Sequence, residues 1–222
     1  MKLLVDMNFG NKRVLILGEG DELENRTRQF LEAGARVIAA GPKQTLKLTG
    51  LRKSVRLRLT ACDYRKAWKP LLRKTRPYLV VLATSDHKAT SDIARQIREK
   101  HHILVYAVDV PQVNDFNMPA LAKRGSIRVA VSTGGLSPAM AAILRNRIEQ
   151  IITPEDNREV QLQSMIRREI KNKIANVETR KDCIYKIIED RRIKQFLRTG
   201  RVDEAHRLAA KQIASFVRKA GS

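Results

Sequence analysis

Short apolar runs alternate with helix-like segments over the first two thirds of the chain. Most of the runs are nearly continuous stretches of Val, Ile, Leu and Ala, which is typical of strands buried on both faces. Five strands are predicted, at residues 13–17, 36–40, 55–59, 78–83 and 103–108. Helical spacing of apolar positions predicts helices between them, at residues 22–33, 68–74 and 91–100. Because strands alternate with helices, the pattern predicts an α/β fold with a doubly wound parallel sheet.

The pattern changes after Pro111. Residues 112–118 have the composition of a loop, residues 127–132 that of a strand, and residues 138–152 show helical spacing. Beyond Thr153 the strand pattern ends, and three further helices are predicted, at residues 160–177, 182–197 and 202–217. The sequence therefore predicts three parts, namely an α/β domain over residues 1–111, a small linking β/α segment over 112–152 and an all-helical domain over 153–222.

Charge is the unusual feature of the composition. Lysine and arginine outnumber the acidic residues by 44 to 23, which gives a formal net charge of +21. The excess is shared evenly, with 22 basic and 11 acidic residues in residues 1–113 and 22 and 12 in the rest. The charge indicates one of two things. The protein has a polyanionic partner, of which nucleic acid is the commonest, or its surface reflects an organism-wide bias in charge, such as that of thermophily or halotolerance. Aromatic residues make up only 5% of the chain, which argues against nucleic acid because single-strand binders stack bases on aromatic side chains.

Cysteine, histidine and hydropathy exclude several classes of protein. The two cysteines, Cys62 and Cys183, lie far apart, so we expect no disulfide framework and a reducing, cytoplasmic location. The four histidines lack carboxylate or cysteine partners at ligand spacing, so no fixed metal site is predicted. No apolar run approaches the roughly 18–20 residues that span a bilayer, and we expect no membrane association.

Two glycines stand where the first predicted strand meets the first helix. In a dinucleotide-binding fold, the first glycine makes the tight turn and the second lets the backbone approach a pyrophosphate at the helix N-terminus. Gly18 and Gly20 fit these positions, but Leu23 stands where a small residue is expected. The acidic Asp21 and Glu22 are equally typical of an ordinary strand-to-helix turn, since acids stabilise the first turn of a helix.

Two further segments place polar residues at a strand end and at a helix start. Asp109 follows the last strand of the predicted sheet, at the edge where ligands bind in open α/β sheets. It would either move protons there or simply cap the strand. The segment at residues 132–138, rich in hydroxyl groups and glycine, opens the helix predicted at residues 138–152. It is either an anion-binding loop or simply an N-terminal cap, with Ser137 as the capping residue and Pro138 at the first helical position.

Several motifs occur in a fixed order along the chain. They are Lys12-Arg-Val-Leu-Ile-Leu-Gly18, Phe30-Leu-Glu-Ala-Gly-Ala-Arg-Val37, Val80-Val-Leu-Ala-Thr-Ser-Asp86, Ala107-Val-Asp-Val-Pro111, Asp115-Phe-Asn-Met-Pro-Ala120 and Arg128-Val-Ala-Val-Ser-Thr-Gly-Gly-Leu-Ser-Pro138. In this order they resemble the bifunctional precorrin-2 dehydrogenase/sirohydrochlorin ferrochelatase family of siroheme biosynthesis, over about residues 8–152. Phe196-Leu-Arg-Thr-Gly200, followed by Asp203-Glu-Ala205, resembles the family's C-terminal domain.

The resemblance implies a Rossmann-like NAD-binding domain and an NAD-dependent oxidation of precorrin-2 to sirohydrochlorin. In some members of the family, ferrous iron is then inserted as a substrate. The resemblance also implies a homodimer formed through the segment after Pro111. Asp109 takes the place of the family's catalytic acid. The cofactor positions map onto Gly18, Gly20, Asp21, Glu22, Pro42, Lys43, Thr84 and Asp86. Positions beside the substrate cleft map onto Ser132, Thr133, Gly134 and Gly135.

The tetrapyrrole that the resemblance implies carries eight carboxylates, which arginine side chains bind by charge-assisted hydrogen bonds. Arg124, Arg128 and Arg145 are candidate ligands for them. The cofactor turn departs from the family's pattern, because Glu19 replaces a glycine and Leu23 a small residue. The alternative function, from another class, is a non-catalytic, basic Rossmann-like protein that binds nucleic acid or senses a nucleotide.

Overall fold

The computed structural model describes residues 3–42, 51 and 53–220, with side chains as far as Arg218. These residues form two compact units, which meet in the sequence between Met118 and Pro119. The elements of the first unit are β1 (Arg13–Gly18), α1 (Gly20–Glu32), β2 (Arg36–Gly41), β3 (Leu57–Ala61), α2 (Tyr64–Thr75), β4 (Leu79–Ala83), α3 (His87–His101), β5 (Leu104–Ala107) and a short 3-10 helix (Pro111–Val113).

The strands of the first unit form one parallel sheet in the order β3-β2-β1-β4-β5. In β1 and β2 only the first residues, Arg13 and Arg36, are exposed, and every residue of β4 is buried. This burial explains why the strands are continuous apolar runs in the sequence. The prediction of a doubly wound α/β fold is confirmed.

Helices cover both faces of the sheet, because successive strand residues point to opposite faces. On one face, Leu23 and Phe30 of α1 pack in a cluster with Ile16 of β1. On the other face, Trp68 of α2 and Ile97 of α3 belong to a second buried cluster. The two clusters hold the helices in place, so the turn between β1 and α1 is fixed by packing on each side of it.

Two segments of the first unit differ from the sequence prediction. The strand expected at residues 55–59 begins only at Leu57, because the Leu57 N–H closes a turn on the Ser54 carbonyl over 3.0 Å and leaves Val55 exposed. The residues after Pro111 pack on the sheet, where the Phe116 ring stacks on Tyr106 with centroids 5.5 Å apart. The first unit therefore extends to residue 118, and the three-part division at residues 111 and 152 stays a prediction.

The second unit combines a β-hairpin with helices. Its elements are β6 (Ala120–Arg124), β7 (Ile127–Val131), α4 (Pro138–Ile151), α5 (Pro154–Lys171), α6 (Val177–Glu189), α7 (Arg191–Arg198) and α8 (Val202–Ala220). β6 and β7 are antiparallel, and the last four helices bury a core that includes Ile166, Ile187, Ile193 and Ile213. Within the described ranges of the chain, no helix is both long enough and apolar enough to cross a bilayer.

The helix predicted at residues 182–197 is wrong, because two helices, α6 and α7, occupy this range. Asp190 separates them with an extended backbone conformation. Its carboxylate accepts a hydrogen bond from the Arg192 N–H over 2.8 Å and so caps the start of α7. β6 is absent from the sequence prediction, because its residues alternate only weakly between apolar and polar.

Candidate functional site

The carboxyl ends of β1, β4 and β5 lie next to one another at one edge of the sheet. Gly18 pairs with Ala83 across β1 and β4, and β5 pairs with β4 as far as Ala107. The strand order reverses between β1 and β4, and ligands bind beside such a reversal in open α/β sheets. The structure therefore brings Gly18, Thr84 and Asp109 to one edge of the first unit.

The turn between β1 and α1 requires glycine at one position and is open at another. Gly18 has φ +152°, and a Cβ there would lie 1.8 Å from the Ala83 carbonyl oxygen. Gly20, the first residue of α1, has φ +68°, and a Cβ there would meet no atom within 4 Å. The open space at Gly20 lets a ligand approach the N–H groups of the first turn of α1, so this turn fits a pyrophosphate.

Acidic side chains surround this turn, and one of them is neutralised. The Glu22 carboxylate lies 3.1 Å from the Arg26 guanidinium, one helical turn further on. Glu19 accepts a hydrogen bond from the Ser85 hydroxyl over 3.2 Å, and Asp21 is exposed. Glu19 and Asp21 therefore leave negative charge beside the N-terminus of α1, where it weakens the attraction for phosphate.

Of three further positions singled out from the sequence, the structure describes Leu23 and Pro42. Leu23 is completely buried in the cluster beneath α1. The helix therefore accommodates in the core a side chain larger than the small residue that a dinucleotide-binding turn has at this position. Pro42 follows β2 and is half-buried. Lys43 lies outside the described residues.

Thr84 and Asp86 follow β4, and their side chains bind other parts of the first unit. The Thr84 hydroxyl lies 2.7 Å from that of Tyr64 and accepts a hydrogen bond from the Asp86 N–H over 3.0 Å. Asp86 caps α3 by accepting from the Ala89 N–H over 2.9 Å, and it pairs with Arg65 over 3.1 Å. The Ala89 hydrogen bond, and secondarily Arg65, lowers the pKa of Asp86 below its usual range. Both side chains therefore shape this edge of the sheet.

The Asp109 carboxylate is exposed, just beyond the end of β5. Across the described part of the chain it accepts no hydrogen bond and forms no ion pair. The interpretation of Asp109 as a capping residue predicts such a hydrogen bond. An unpaired carboxylate at this edge is available to a ligand, and it is chemically able to accept a proton.

The sequence predictions do not include the contact between Arg26 of α1 and Tyr106 of β5. The Arg26 guanidinium lies 5.5 Å from the ring centroid of Tyr106. Burial raises the pKa of the Tyr106 phenol, the charges of Glu22 and Asp109 raise it further, and Arg26 lowers it. The phenol therefore lies within the electrostatic reach of both carboxylates. The four-residue spacing of Glu22 and Arg26 was an available sequence signal for the ion pair between these two side chains.

The loop that precedes α4 lies in the second unit. The Thr133 hydroxyl donates to the Ser137 carbonyl over 3.0 Å and accepts from the Ser137 N–H over 3.1 Å. The Gly134 N–H donates to the Ser132 hydroxyl over 3.2 Å. Gly134 and Gly135 have positive φ and are exposed, and the Ser137 side chain caps α4. The predicted helix cap is therefore confirmed, and the open glycines still allow a ligand to approach the loop.

The three candidate arginines are not arranged as one cluster. Arg128 is paired across the hairpin with Lys123, whereas Arg124 lies on the face of the buried Ala122. Arg124 and Arg128 therefore lie on opposite faces of the hairpin. Arg145 of α4 lies 3.6 Å from a carboxylate oxygen of Glu149. No group of three or more His, Cys, Asp or Glu side chains in the described ranges is arranged to hold a metal ion.

Family models match both units of the chain. A model described as putative NAD(P)-binding matches residues 5–120. A second model, described as sirohaem biosynthesis protein central, matches residues 124–151. The first match covers more than half of the chain and includes the β1–α1 turn and Asp109.

Individual proteins are similar over most of this chain. Siroheme synthase 1 of Aeromonas salmonicida is 28% identical over 90% of this chain and 41% of that protein. The precorrin-2 dehydrogenase of Methanosarcina barkeri is 29% identical over 85% of this chain and 83% of that protein. A solved structure of SirC, a precorrin-2 dehydrogenase, matches this chain with a TM-score of 0.70 at 19% identity, over 99% of both chains. This match shows that the two proteins share a fold. The chain spans about two fifths of the siroheme synthases that it matches.

Proposed function

The chain belongs to the precorrin-2 dehydrogenase/sirohydrochlorin ferrochelatase family of siroheme biosynthesis, and we propose that it oxidises precorrin-2 to sirohydrochlorin with NAD+. The observation that carries the proposal is the unpaired Asp109 carboxylate at the sheet edge that also holds the Gly18 turn. A proton acceptor beside a dinucleotide-binding turn is the arrangement that this oxidation requires.

The backbone of the β1–α1 turn would hold the cofactor. Gly18 sets the turn, and the N–H groups that begin α1 at Gly20 would donate to the pyrophosphate. Asp21 and Glu22 lie in the same first turn of α1, Glu22 being neutralised by Arg26. NAD+, when bound, takes up a hydride and so supplies the two-electron oxidising power.

Asp109 would accept the proton that leaves the tetrapyrrole. The oxidation removes a hydride and a proton from precorrin-2, and a carboxylate that no cation or N–H group of the described residues neutralises is free to take that proton. The proton then passes to water, which restores the carboxylate. General-base assistance of this kind contributes typically about 10²–10⁴-fold to a rate.

Basic and loop residues of the second unit would bind the carboxylates of the substrate. Ser132, Thr133, Gly134 and Gly135 offer hydroxyl and N–H groups before α4, and Arg128 is exposed on the hairpin. Arg124 and Arg145 remain candidates for the same role. Ferrous iron, where it is inserted into the product, is a substrate of a second step that we propose for the same protein.

We further propose a homodimer formed through residues 112–152, located in the cytoplasm. This segment leaves large apolar side chains exposed, namely Leu121, Leu136, Met140, Ile143 and Ile151. A second copy that covers them would bury apolar surface that a monomer leaves in water. The two cysteines form no disulfide, which favours a reducing compartment.

The first test is spectrophotometric. Wild-type protein mixed with precorrin-2 and NAD+ should produce reduced nucleotide and the absorbance of sirohydrochlorin. If neither appears, the protein is not this dehydrogenase, and the non-catalytic alternative is favoured.

The role of Asp109 is tested by Asp109→Asn. This variant should lower kcat by about 100-fold or more, since the amide cannot accept the proton. The melting temperature should stay within about 2 °C, because the side chain has no partner among the residues that the structure describes. Asp92→Asn on α3 is the matched control, as it removes another exposed carboxylate. A near-parental rate for Asp109→Asn would remove Asp109 from the mechanism. Iron insertion should be measured in the same variant, because a shared acid predicts that both activities fall.

A further inference from the structure

β5 is the last strand of the sheet, and on one side of it no described residues form a neighbouring strand. The two residues after the 3-10 helix cover that side. The Val105 N–H donates to the Asp115 carboxylate over 2.8 Å, and the Val105 carbonyl accepts from the Asp115 N–H over 3.1 Å. The Ala107 N–H donates to Asn114 Oδ1 over 2.5 Å, and the Ala107 carbonyl accepts from Asn114 Nδ2 over 3.0 Å. The Asn114 amide thus makes both hydrogen bonds that a neighbouring strand would make.

These hydrogen bonds close the loop that carries Asp109. At one end, the Val108 N–H donates to the Leu82 carbonyl over 3.0 Å. At the other end, the Asn114 N–H donates to the Pro111 carbonyl over 3.3 Å while its side chain binds Ala107, seven residues earlier. Asn114 is therefore the residue that ties the far end of this loop back to β5.

The direction of Asp109 depends on this loop. Its carboxylate makes no hydrogen bond or ion pair with any described residue. The loop backbone therefore sets the position of the Asp109 Cα and the direction of its Cα–Cβ bond, and with them the region that the carboxylate reaches. A change in the closure at Asn114 moves the carboxylate without removing any contact that Asp109 makes itself.

We propose that Asn114 is a positioning residue that aims Asp109, by acting as a side-chain substitute for a strand at Ala107. This inference rests on the proposed function, because it assigns Asn114 to the same proton-transfer step. Displacements of about 1 Å in a catalytic group cost up to roughly 100-fold in rate. The two hydrogen bonds between the Asn114 side chain and Ala107 hold the far end of this loop against β5.

Asp115 offers a matched control within the same segment. At Val105, two residues further from Asp109 along β5, its carboxylate accepts one hydrogen bond and its backbone N–H donates another, and the carboxylate also forms an ion pair of 2.9 Å with Arg98. Loss of its side chain removes a comparable contact at the strand edge, yet leaves the closure between Ala107 and Asn114 intact. A loss of stability is therefore expected from either substitution, whereas only loss of the Asn114 side chain should change the direction of the Asp109 carboxylate.

The experiment compares Asn114→Ala with Asp115→Ala. We expect both variants to melt a few degrees below the wild type, since each loses about one or two hydrogen bonds at the edge. Only Asn114→Ala should lower kcat, by about 10- to 100-fold, with KM for precorrin-2 within about twofold. Equal kcat values in the two variants, or an unchanged kcat in Asn114→Ala, would overturn the positioning role.

The two hydrogen bonds between the Asn114 side chain and Ala107 form a clamp on the end of β5. Hydrogen exchange of the wild-type protein tests this clamp without a variant and without an activity measurement. The Ala107 amide should be protected to a similar degree as that of Val105. Exchange of Ala107 at the rate of an unpaired surface amide would contradict the clamp. If the wild type fails to oxidise precorrin-2 while Ala107 is protected, the proposed function fails and the clamp stands only as a structural device.

Discussion

At Gly18 a hydrogen atom in place of a side chain decides whether β1 and β4 can lie side by side. An alanine Cβ would lie 1.8 Å from the Ala83 carbonyl oxygen, a backbone atom that cannot move without breaking the register. The same residue also needs a φ of +152°, which L side chains rarely adopt. The glycine at this position is therefore required by the sheet itself, whatever ligand binds beside it.

Gly18→Ala should destabilise the protein strongly, and Gly20→Ala only mildly. We expect Gly18→Ala to cost about 3 kcal/mol or more, since overpacking and backbone strain add. For Gly20→Ala, where the added Cβ meets open space, we expect only the left-handed strain of about 1–2 kcal/mol. Thermal melts of the two variants provide the measurement. A Gly18→Ala variant that melts at or above Gly20→Ala would show that β1 and β4 separate without cost.

The residues at the sheet edge show how far sequence reasoning reaches. Gly18 and Asp109 follow predicted strands, so their positions at the edge were predictable from the apolar runs alone. Arg26 and Tyr106 lie 80 residues apart in the sequence, and no local pattern brings them together. Asn114 lies in a segment predicted as loop, and its hydrogen bonds to Ala107 depend on the fold of the whole first unit. Contacts made through tertiary structure are those that the sequence does not encode locally.

At the scale of elements, continuous apolar strands were the most predictable and short polar connections the least. β1, β2 and β4 are buried along nearly their whole length, and such burial leaves an unambiguous sequence pattern. The apolar spacing of residues 182–197 is helical throughout, because α6 and α7 bury residues in the same core. The break at Asp190 comes from the hydrogen bonds of one side chain, which periodicity does not report.

The Asp190 carboxylate makes the junction of α6 and α7 sensitive to acid. Hydrogen bonds from Arg192 lower the pKa of Asp190 to about 2, and Gln212 donates a further hydrogen bond over 2.6 Å. An unfolded aspartate has a pKa of about 3.9. Because the folded pKa is the lower one, Asp190 contributes stability above about pH 4, and this contribution is lost as the pH falls towards 2.

Asp190→Asn should therefore lower the melting temperature near neutral pH, by about 2–4 °C, although the amide still caps α7. The difference from the wild type should shrink between about pH 4 and pH 2. Melting curves over this pH range give the comparison, with Asp182→Asn on α6 as the control for an exposed carboxylate. A difference that stays constant down to pH 2 would mean that the charge of Asp190 contributes nothing to stability.

At the scale of the molecule, the exposed apolar side chains of α4 predict a dimer. Met140 and Ile143 are each 43% exposed, although both are large apolar residues on the same helix. Light scattering should give a mass of about twice the 25.2 kDa of one chain. The double variant Met140→Glu with Ile143→Glu should give the monomer mass, whereas Tyr185→Glu on α6 should not. A monomeric wild type at micromolar concentration would contradict the dimer.

The two outer strands of the sheet differ in how they are kept from other chains. β3 carries the exposed Arg58, and a charge of this kind discourages a foreign strand from pairing there. β5, with the sequence Leu-Val-Tyr-Ala, carries no charge, and of the residues described in the structure only 114 and 115 occupy its outer backbone groups. Without that cover, it would offer a short apolar strand for pairing with another chain. The segment after Asp109 therefore also shields this edge, and loss of both side chains should make the chain more prone to associate through β5 during folding.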